Sequence, residues 1–577
     1  MKRLAIWALC TMLFAINTLA QDETDIIEHI GDRYIIHVNA LKPDKEMALM
    51  DVLLMCPELM SANGKRLSDD YEIRIDNVVL VMDDEMVLEA LKADEISTIE
   101  IYLSTSVSIG GGGRFGTIDI YLKEQPAATT SGKLMLEGST RGNGKAYADI
   151  VSRTGDITLR GYALANLRYT RGSLIEYDWF SSRQGVENVH LNMNWDISER
   201  DNMKVKLSHY YLDSKHRFRD GTSPTLTMDE RERCWDGVIN YTRTLNDQGA
   251  TLLAEGGFNY QKPGIEGARY QDCFAYYFTE TSIPLNNSLS LLAGWEIDYD
   301  NLWAIGHQRQ QMMFNDLYLQ FDYAHGPWVL ALGDRFRFIN YWHRVYDKGD
   351  GSLWNNSRTE HSYLASVGYK ARGHCVQGLF SRDYTTPVIS NFLTDLDDNS
   401  QSITYGTRFN TCMVYNTEAR YTYQQQGLVL SGSLLHTWEN ENPLFDEQYT
   451  GLRASATWHR GCLRLTAGAD YFYGKATNND NDIDRQCHFF HLRLLPTLLL
   501  GGGLRISSRL LYSSRNDLII DMPAHLYASV KVSKDLGRHC TLSADFHDLA
   551  GAPQVSFLQL GTSYDSRALT LGLTYRF

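Results

Sequence analysis

The chain closes with Arg567-Ala568-Leu569-Thr570-Leu571-Gly572-Leu573-Thr574-Tyr575-Arg576-Phe577. Successive side chains of a strand point to opposite faces. Leu569, Leu571, Leu573, Tyr575 and Phe577 therefore share one face, and Thr570, Gly572, Thr574 and Arg576 the other. The first face is apolar and ends in aromatics; the second is small or polar. The same split recurs upstream. Leu463, Leu465, Ala467, Ala469, Tyr471 and Tyr473 oppose Arg464, Thr466, Gly468 and Asp470. Met203, Val205 and Leu207 oppose Lys204, Lys206 and Ser208, and Leu526, Ala528, Val530 and Val532 oppose Ser529, Lys531 and Ser533.

A soluble sandwich also alternates, but it closes after about seven to nine strands. Here the rhythm continues from about residue 131 to the end of the 577-residue chain. Short turns, at Asn143-Gly144, Arg460-Gly461 and Leu536-Gly537, are interspersed with longer polar stretches at 346–360, 392–401 and 476–485. That asymmetry is typical of transmembrane barrels. Allowing roughly 20 residues for a strand and its turn predicts about 22 antiparallel strands. A barrel that wide has a lumen that needs filling.

Composition agrees with a barrel. The chain has 34 Tyr, 21 Phe and 11 Trp, enough for aromatic girdles, and only 12 Pro. Mean hydropathy is slightly negative. Beyond residue 20 no run approaches the ~20 apolar residues of a membrane helix, which excludes a helical membrane protein. The net charge of −15 argues against nucleic acid as a partner, since phosphate calls for a basic face. Residues 1–20 read as a secretory signal peptide: Lys2 and Arg3, an apolar run from Leu4 to Ile16, then Thr18-Leu19-Ala20 before Gln21. The eight later cysteines are scattered without a C-x-x-C pair, so no metal site is expected and their pairing stays open.

Before the barrel the texture changes. Residues 31–127 mix short strands (33–40, 71–80, 96–103, 117–122) with helical patches at 47–55 and 83–91, an α+β pattern. Four segments in order carry a resemblance. Met50 to Leu59 is an apolar helix ending at Cys56-Pro57; Arg74-Ile75-Asp76-Asn77-Val78-Val79-Leu80 is a hydrophobic-Asp-x-Val run; Ala93 to Ile101 reads acid-Ile-x-x-Ile-x-Ile; Gly110-Gly111-Gly112-Gly113-Arg114-Phe115-Gly116 leads into a closing strand. With the aromatic C-terminal strand ending in Tyr575 and Phe577, the chain resembles a small TonB-dependent receptor, an outer-membrane family with a plug inside a barrel. Asn77 stands where that family usually has glycine, and both residues tolerate positive φ.

The resemblance implies a signal peptide at 1–20, a segment at 21–30 with a candidate TonB box (Thr24, Asp25, Ile26, Ile27), a plug at 31–127 and a barrel at 128–577. It implies the Gram-negative outer membrane and, as partners, lipid, a TonB-like periplasmic energy transducer reached by strand addition, the barrel assembly machinery at the C-terminal strand, a small nutrient ligand and a surface lipoprotein. Siderophore-bound iron, haem, cobalamin and small glycans all suit a chain of this size. The alternative is a non-transporting receptor or structural barrel with a degenerate plug.

No enzyme chemistry emerges. Gly111-x-Gly113-x-x-Gly116 mimics a dinucleotide fingerprint, but a strand follows where that motif needs a helix; it reads as a close-packed plug turn. G-x-S-x-G and H-E-x-x-H are absent. His307, His343 and His361, and the acids at Asp395, Asp397, Asp398, Asp480 and Asp482, read as polar connections. Trp303, Trp342 and Trp354 read as interface anchors. No cofactor is expected, and the ligand-binding residues are unknown at this level.

Overall fold

Antiparallel segments joined by short turns satisfy each other's backbone groups, and the alternating segments do so with their sequence neighbours. In the computed structural model the described residues are 26–30, 33–41, 47, 49–53, 71–76, 78–79, 91–102, 116–123 and 129–577. From the last range, 175–176, 220–224, 266–267, 305–307, 346–351, 386–411, 426, 441–445, 479–482, 519–522, 551–553, 557–561 and 565–566 are excepted. Twenty-one strands from Thr130–Ser139 to Cys540–His547 pair in order, and Ala568–Arg576 closes the ring as the twenty-second, between Cys540–His547 and Thr130–Ser139. Closure removes the unpaired edges that lipid does not tolerate. At the seam Phe577 and Gly132 exchange backbone hydrogen bonds of 3.0 Å in both directions. The Phe577 ring lies over Gly132, where a β-carbon would run into it.

The two faces sort as the sequence predicts. Along the last strand Leu571, Leu573, Tyr575 and Phe577 are exposed while Gly572 and Thr574 are buried. Leu317, Leu332, Leu434 and Leu452 are likewise exposed on the outside, and Glu255, Asp316, Asp470 and Arg493 are buried on the inside. Strands reach 20 residues, about twice the ~9–11 that cross a bilayer, so the wall projects beyond the lipid. The long connections expected at 346–360 and 476–485 are therefore shorter: Ser352–Ala371, Leu463–Asn478 and Ile483–Leu500 are strands that use most of those residues. Tight turns gather on one rim, with positive φ at Gly155, Gly249, Gly326, Gly373, Gly427, Gly461 and Gly537. The C-terminus lies on that rim. Asn143-Gly144 and the strand ends Thr385 and Cys412 lie on the other.

The N-terminal region forms a separate mixed sheet: β1 (Ile27–Ile30), β2 (Arg33–His37), β3 (Tyr71–Ile75), β4 (Val78–Val79), β5 (Ile96–Tyr102) and β6 (Gly116–Leu122), in the order β1-β2-β5-β6-β3-β4. Only β3 and β6 run parallel. A short helix, α1 (Leu49–Leu53), falls within the predicted 47–55, and the second predicted helix lies outside the described residues except Leu91. Two expected strands are shorter. The first ends at His37 and passes into a 3-10 turn, Val38–Leu41. The second breaks at Asp76, whose φ of 52° reverses the chain into β4. Ile36, Val38, Val52, Ile73, Ile99 and Ile118 form one apolar cluster with Met135, Tyr147, Val186 and Tyr210 of the barrel's inner face. That shared core puts the sheet in the lumen as a plug.

Candidate functional site: the plug and the luminal wall

The plug and the barrel are separate sheets, with no backbone ladder between them among the described residues. Side chains join them instead. Lys133 of the first barrel strand reaches Glu95, which precedes β5, with Nζ to Oε1 at 2.5 Å. Beside it Arg160 donates to both oxygens of Asp149 at 2.9 and 2.5 Å, with Glu95 at 4.0 Å. Arg464 donates to the Leu41 carbonyl at 3.0 Å and to the Met47 sulfur at 2.7 Å. Arg420 lies 5.0 Å above the Tyr34 ring. All these wall residues stand within a few positions of the tight turns, so the described plug sheet sits toward that rim.

β1 is clasped as well. Gln424 accepts from the Ile27 N–H at 3.1 Å and donates to the Ile27 carbonyl at 2.7 Å, holding both polar groups of one backbone position. Ile27 also pairs with Ile36 of β2 and is 2% exposed. Ile26 accepts from the His37 N–H at 2.9 Å. Two residues of the candidate TonB box are thus held by the plug sheet; Thr24 and Asp25 lie outside the described residues.

Of the other sequence-predicted plug residues, Asp76 and Gly116 are described. Asp76 is a junction: its N–H donates to Ile120, its Oδ1 accepts from the Leu122 N–H at 3.0 Å, and its carbonyl accepts from Lys204 Nζ of the wall at 3.2 Å. Burial pushes its carboxyl above the usual carboxylate range, with Lys204 and the Leu122 N–H pulling it back. Gly116 opens β6 opposite Tyr71. Pro57, Asn77, Gly110, Gly111, Gly112, Gly113 and Arg114 lie outside the described residues. Tyr575 and Phe577 are at the barrel seam.

Next to Asp76 a cavity of about 590 Å³ opens between plug and wall, lined by Ser97, Tyr121, Lys123, Arg153, Arg160 and Lys206 among others. Of its charged lining residues five are basic (Lys123, Arg153, Arg160, Lys204 and Lys206) and two acidic (Asp76 and Asp196). On the adjoining wall Asn188 and His190 are buried, and neither of the two side-chain polar atoms of each has a hydrogen-bond partner. Ordered water is the usual occupant of such positions. Sequence reasoning missed the wall's cations; the signal available was basic residues on the wet face of strands, as at Lys204, Lys206 and Arg464.

Higher in the lumen a charged cluster is self-satisfied: Arg335 pairs with Glu296 and, with Arg337, holds Asp316. The expected loop residues sort differently. His361 and Asp334 pair with each other, and Trp303 is exposed at a strand end, as an interface anchor would be. His307 and the acids at 395–398 and 480–482 lie outside the described residues, and nothing is described of the His343 and Trp354 side chains. Cys234, Cys273, Cys375, Cys462, Cys487 and Cys540 are free thiols.

No family model matches the sequence, and no curated protein matches it. Solved structures do match in shape. The siderophore receptor PirA from Pseudomonas aeruginosa aligns with a TM-score of 0.66 at 12% identity, over 95% of this chain and 100% of that one. The ferric-catecholate import receptor Fiu from E. coli gives 0.69 at 11%, over 97% and 100%. The copper transporter OprC gives 0.71 at 10%, over 97% and 100%. At these identities the likeness is one of fold.

Proposed function

We propose, from the TonB-dependent receptor fold that this chain carries, that it is a receptor of the Gram-negative outer membrane that binds a scarce nutrient and imports it into the periplasm. The reading rests on one observation: among the described residues, the sheet in the lumen is tied to the wall through side chains and not through a backbone ladder. Such contacts can break singly, each replaced by water, whereas a shared ladder would have to break as a unit. The plug then acts as a gate with two arrangements, biased by ligand outside and a TonB-like partner inside.

The N-terminal segment is the handle in this reading. β1 and β2 are antiparallel, with Ile27↔Ile36 at the open end. Tension applied before Ile27 loads that pair first and unzips the hairpin toward its turn. The basic cavity beside Asp76 lies on the same rim and would widen as the sheet leaves the wall. Ferric siderophores, haem, cobalamin and small glycans all remain cargo classes for this gate, and no covalent chemistry is needed.

A second reading is favoured by the placement of Ile27. A box residue buried in the plug sheet and clasped by Gln424 is less accessible to strand addition than a free segment, as suits a receptor that does not transport. Deleting residues 22–29 separates the two. In the native host, with ferric siderophores, haem and cobalamin supplied singly, the deletion should abolish uptake of the cargo while surface binding persists. Unchanged uptake would refute active transport through this segment.

A further inference from the structure

Five neighbouring barrel strands, Ile157–Leu174, Tyr177–Asp196, Asp201–Arg219, Leu226–Thr244 and Thr251–Ile265, pair in order. Val186, Tyr210, Leu212 and Cys234 pack in the core shared with the plug. The odd-numbered residues of the three middle strands therefore look outward, and register carries that face to their neighbours. Near the tight-turn rim the face is apolar: Val189, Leu191, Trp195, Leu207 and Ile239 are exposed on it. Toward the other rim it changes. Arg171, Arg183, Lys215, Arg217, Arg233 and Lys262 stand outward and exposed, in a chain whose net charge is −15.

Register sets like charges face to face. Arg183 is the cross-strand partner of Lys215, and Arg233 of Lys262. Arg171 and Arg217 flank Ser181 from either side. Opposed β-carbons stand about 4.5–5.5 Å apart, and like charges there are destabilising. The acids of this face answer only part of the charge. Asp213 lies 3.1 Å from Arg231 and Asp229 lies 3.2 Å from Lys215, while Glu187 stands between Ala165 and Tyr211. Among the described residues no carboxylate pairs with Arg171, Arg183, Arg217, Arg233 or Lys262. Three of these cations are steadied by tyrosine rings: Arg171 lies 4.9 Å from Tyr169, Arg233 5.5 Å from Tyr211 and Lys262 5.3 Å from Tyr260. Across the ring, Leu463–Asn478 carries Tyr471, Tyr473 and Lys475 at the same distance from the tight-turn rim, so that side lacks the patch.

The height of the patch identifies its occupant. Trp195 marks the lower edge of the lipid-facing band, and Arg183 is twelve residues further along the strand. At a rise of about 3.3 Å per residue and a tilt of about 40°, that places Arg183 about 30 Å above Trp195, just past an apolar band roughly 25 Å tall. We propose that this sector binds a phosphate-bearing lipid headgroup of the outer leaflet, whose phosphate oxygens bridge Arg183 and Lys215 with Arg171 and Arg217 at their sides. Guanidinium forks match phosphate geometry, and a bridging anion turns the opposed cations from a cost into a site. The acyl chains of the same molecule run down over Val189, Leu191 and Leu207, which a free anion could not use. The proposal rests on the outer-membrane barrel and not on the import reading.

The test adds diphosphoryl lipid A to the purified full-length protein in non-ionic detergent and counts bound lipid by native mass spectrometry. Expected is saturable binding, at least tenfold tighter than that of the same lipid stripped of its phosphates. Arg183→Gln combined with Arg217→Gln should weaken it at least tenfold in a barrel that still migrates heat-modifiably. Arg183→Gln alone, which removes one side of an opposed pair, should weaken it threefold or more. Arg200→Gln on the tight-turn rim should leave it unchanged. Inorganic phosphate in tenfold molar excess should not displace the lipid. Equal affinity for the dephosphorylated lipid, or unchanged binding in either Arg183 variant, overturns the proposal. Displacement by inorganic phosphate also overturns it, in favour of a free-anion site. The sample holds no energised partner and no cargo, so its outcome is independent of the deletion experiment: persistent uptake there sinks import and leaves this sector standing.

Discussion

Glu95→Gln should loosen the plug and leave the barrel unchanged. The Lys133 side chain is 4% exposed and Glu95 is 22% exposed, with 2.5 Å between the charged atoms. Removing one partner of a fully buried pair costs about 3–5 kcal/mol. Water reaches Glu95, and the Tyr147 ring lies 5.1 Å from the Lys133 ammonium, so some of that cost is relieved. We expect about 2 kcal/mol, or roughly a 30-fold larger population of the opened plug at 1.4 kcal/mol per decade. Hydrogen exchange on the purified protein reads this as faster exchange of the β5 amides, including Ile96 and Ile99, while amides of the barrel strand Leu463–Asn478 serve as reference. Adding Lys133→Met removes the unanswered charge and should restore most of the protection. A change in β5 below about threefold, or an equal change in the reference strand, would refute the view that this pair pins the plug.

Gln424→Ala removes both side-chain bonds to Ile27; at about 1 kcal/mol per bond, β1 amides should exchange faster while β5 amides keep their rate. Leu317→Arg places a cation on the lipid face midway along its strand, and should lower barrel stability in urea by about 2–4 kcal/mol; a change within error would place Leu317 outside the lipid belt. The Asp76 carboxyl is held above its unfolded range by burial. Its contribution is therefore most favourable below the unfolded carboxylate pKa and is lost as pH rises through the folded one. Asp76→Asn should flatten that portion of the plug's stability-versus-pH profile, measured by exchange at stepped pH; a steeper profile would reverse the assigned sign.

Much of the fold was legible because a strand's two faces are local. Leu571, Leu573 and Tyr575 against Gly572 and Thr574 need no knowledge of other strands, and the same holds for Leu465 against Arg464. The plug was legible in outline and less so in detail. Ile27–Ile30 is a strand of 4 residues, too short to show a period, and it exists because β2 offers it a partner. Asp76 breaks β3 because its side chain finds Leu122 across the sheet, 46 positions away. Glu296 shares a strand face with Asp298 and Asp300 by spacing alone, but its partner Arg335 lies 39 positions away.

The sequence by itself determined the barrel and its approximate strand number, since alternation specifies which side of each strand meets lipid whatever its neighbours are. Only the tertiary structure decided which inward residues meet. Lys133 finds Glu95, Gln424 finds Ile27 across 397 positions, and Lys204 finds the Asp76 carbonyl. Register and plug placement are global outcomes of closing the ring and packing its lumen, so no window of sequence contains them.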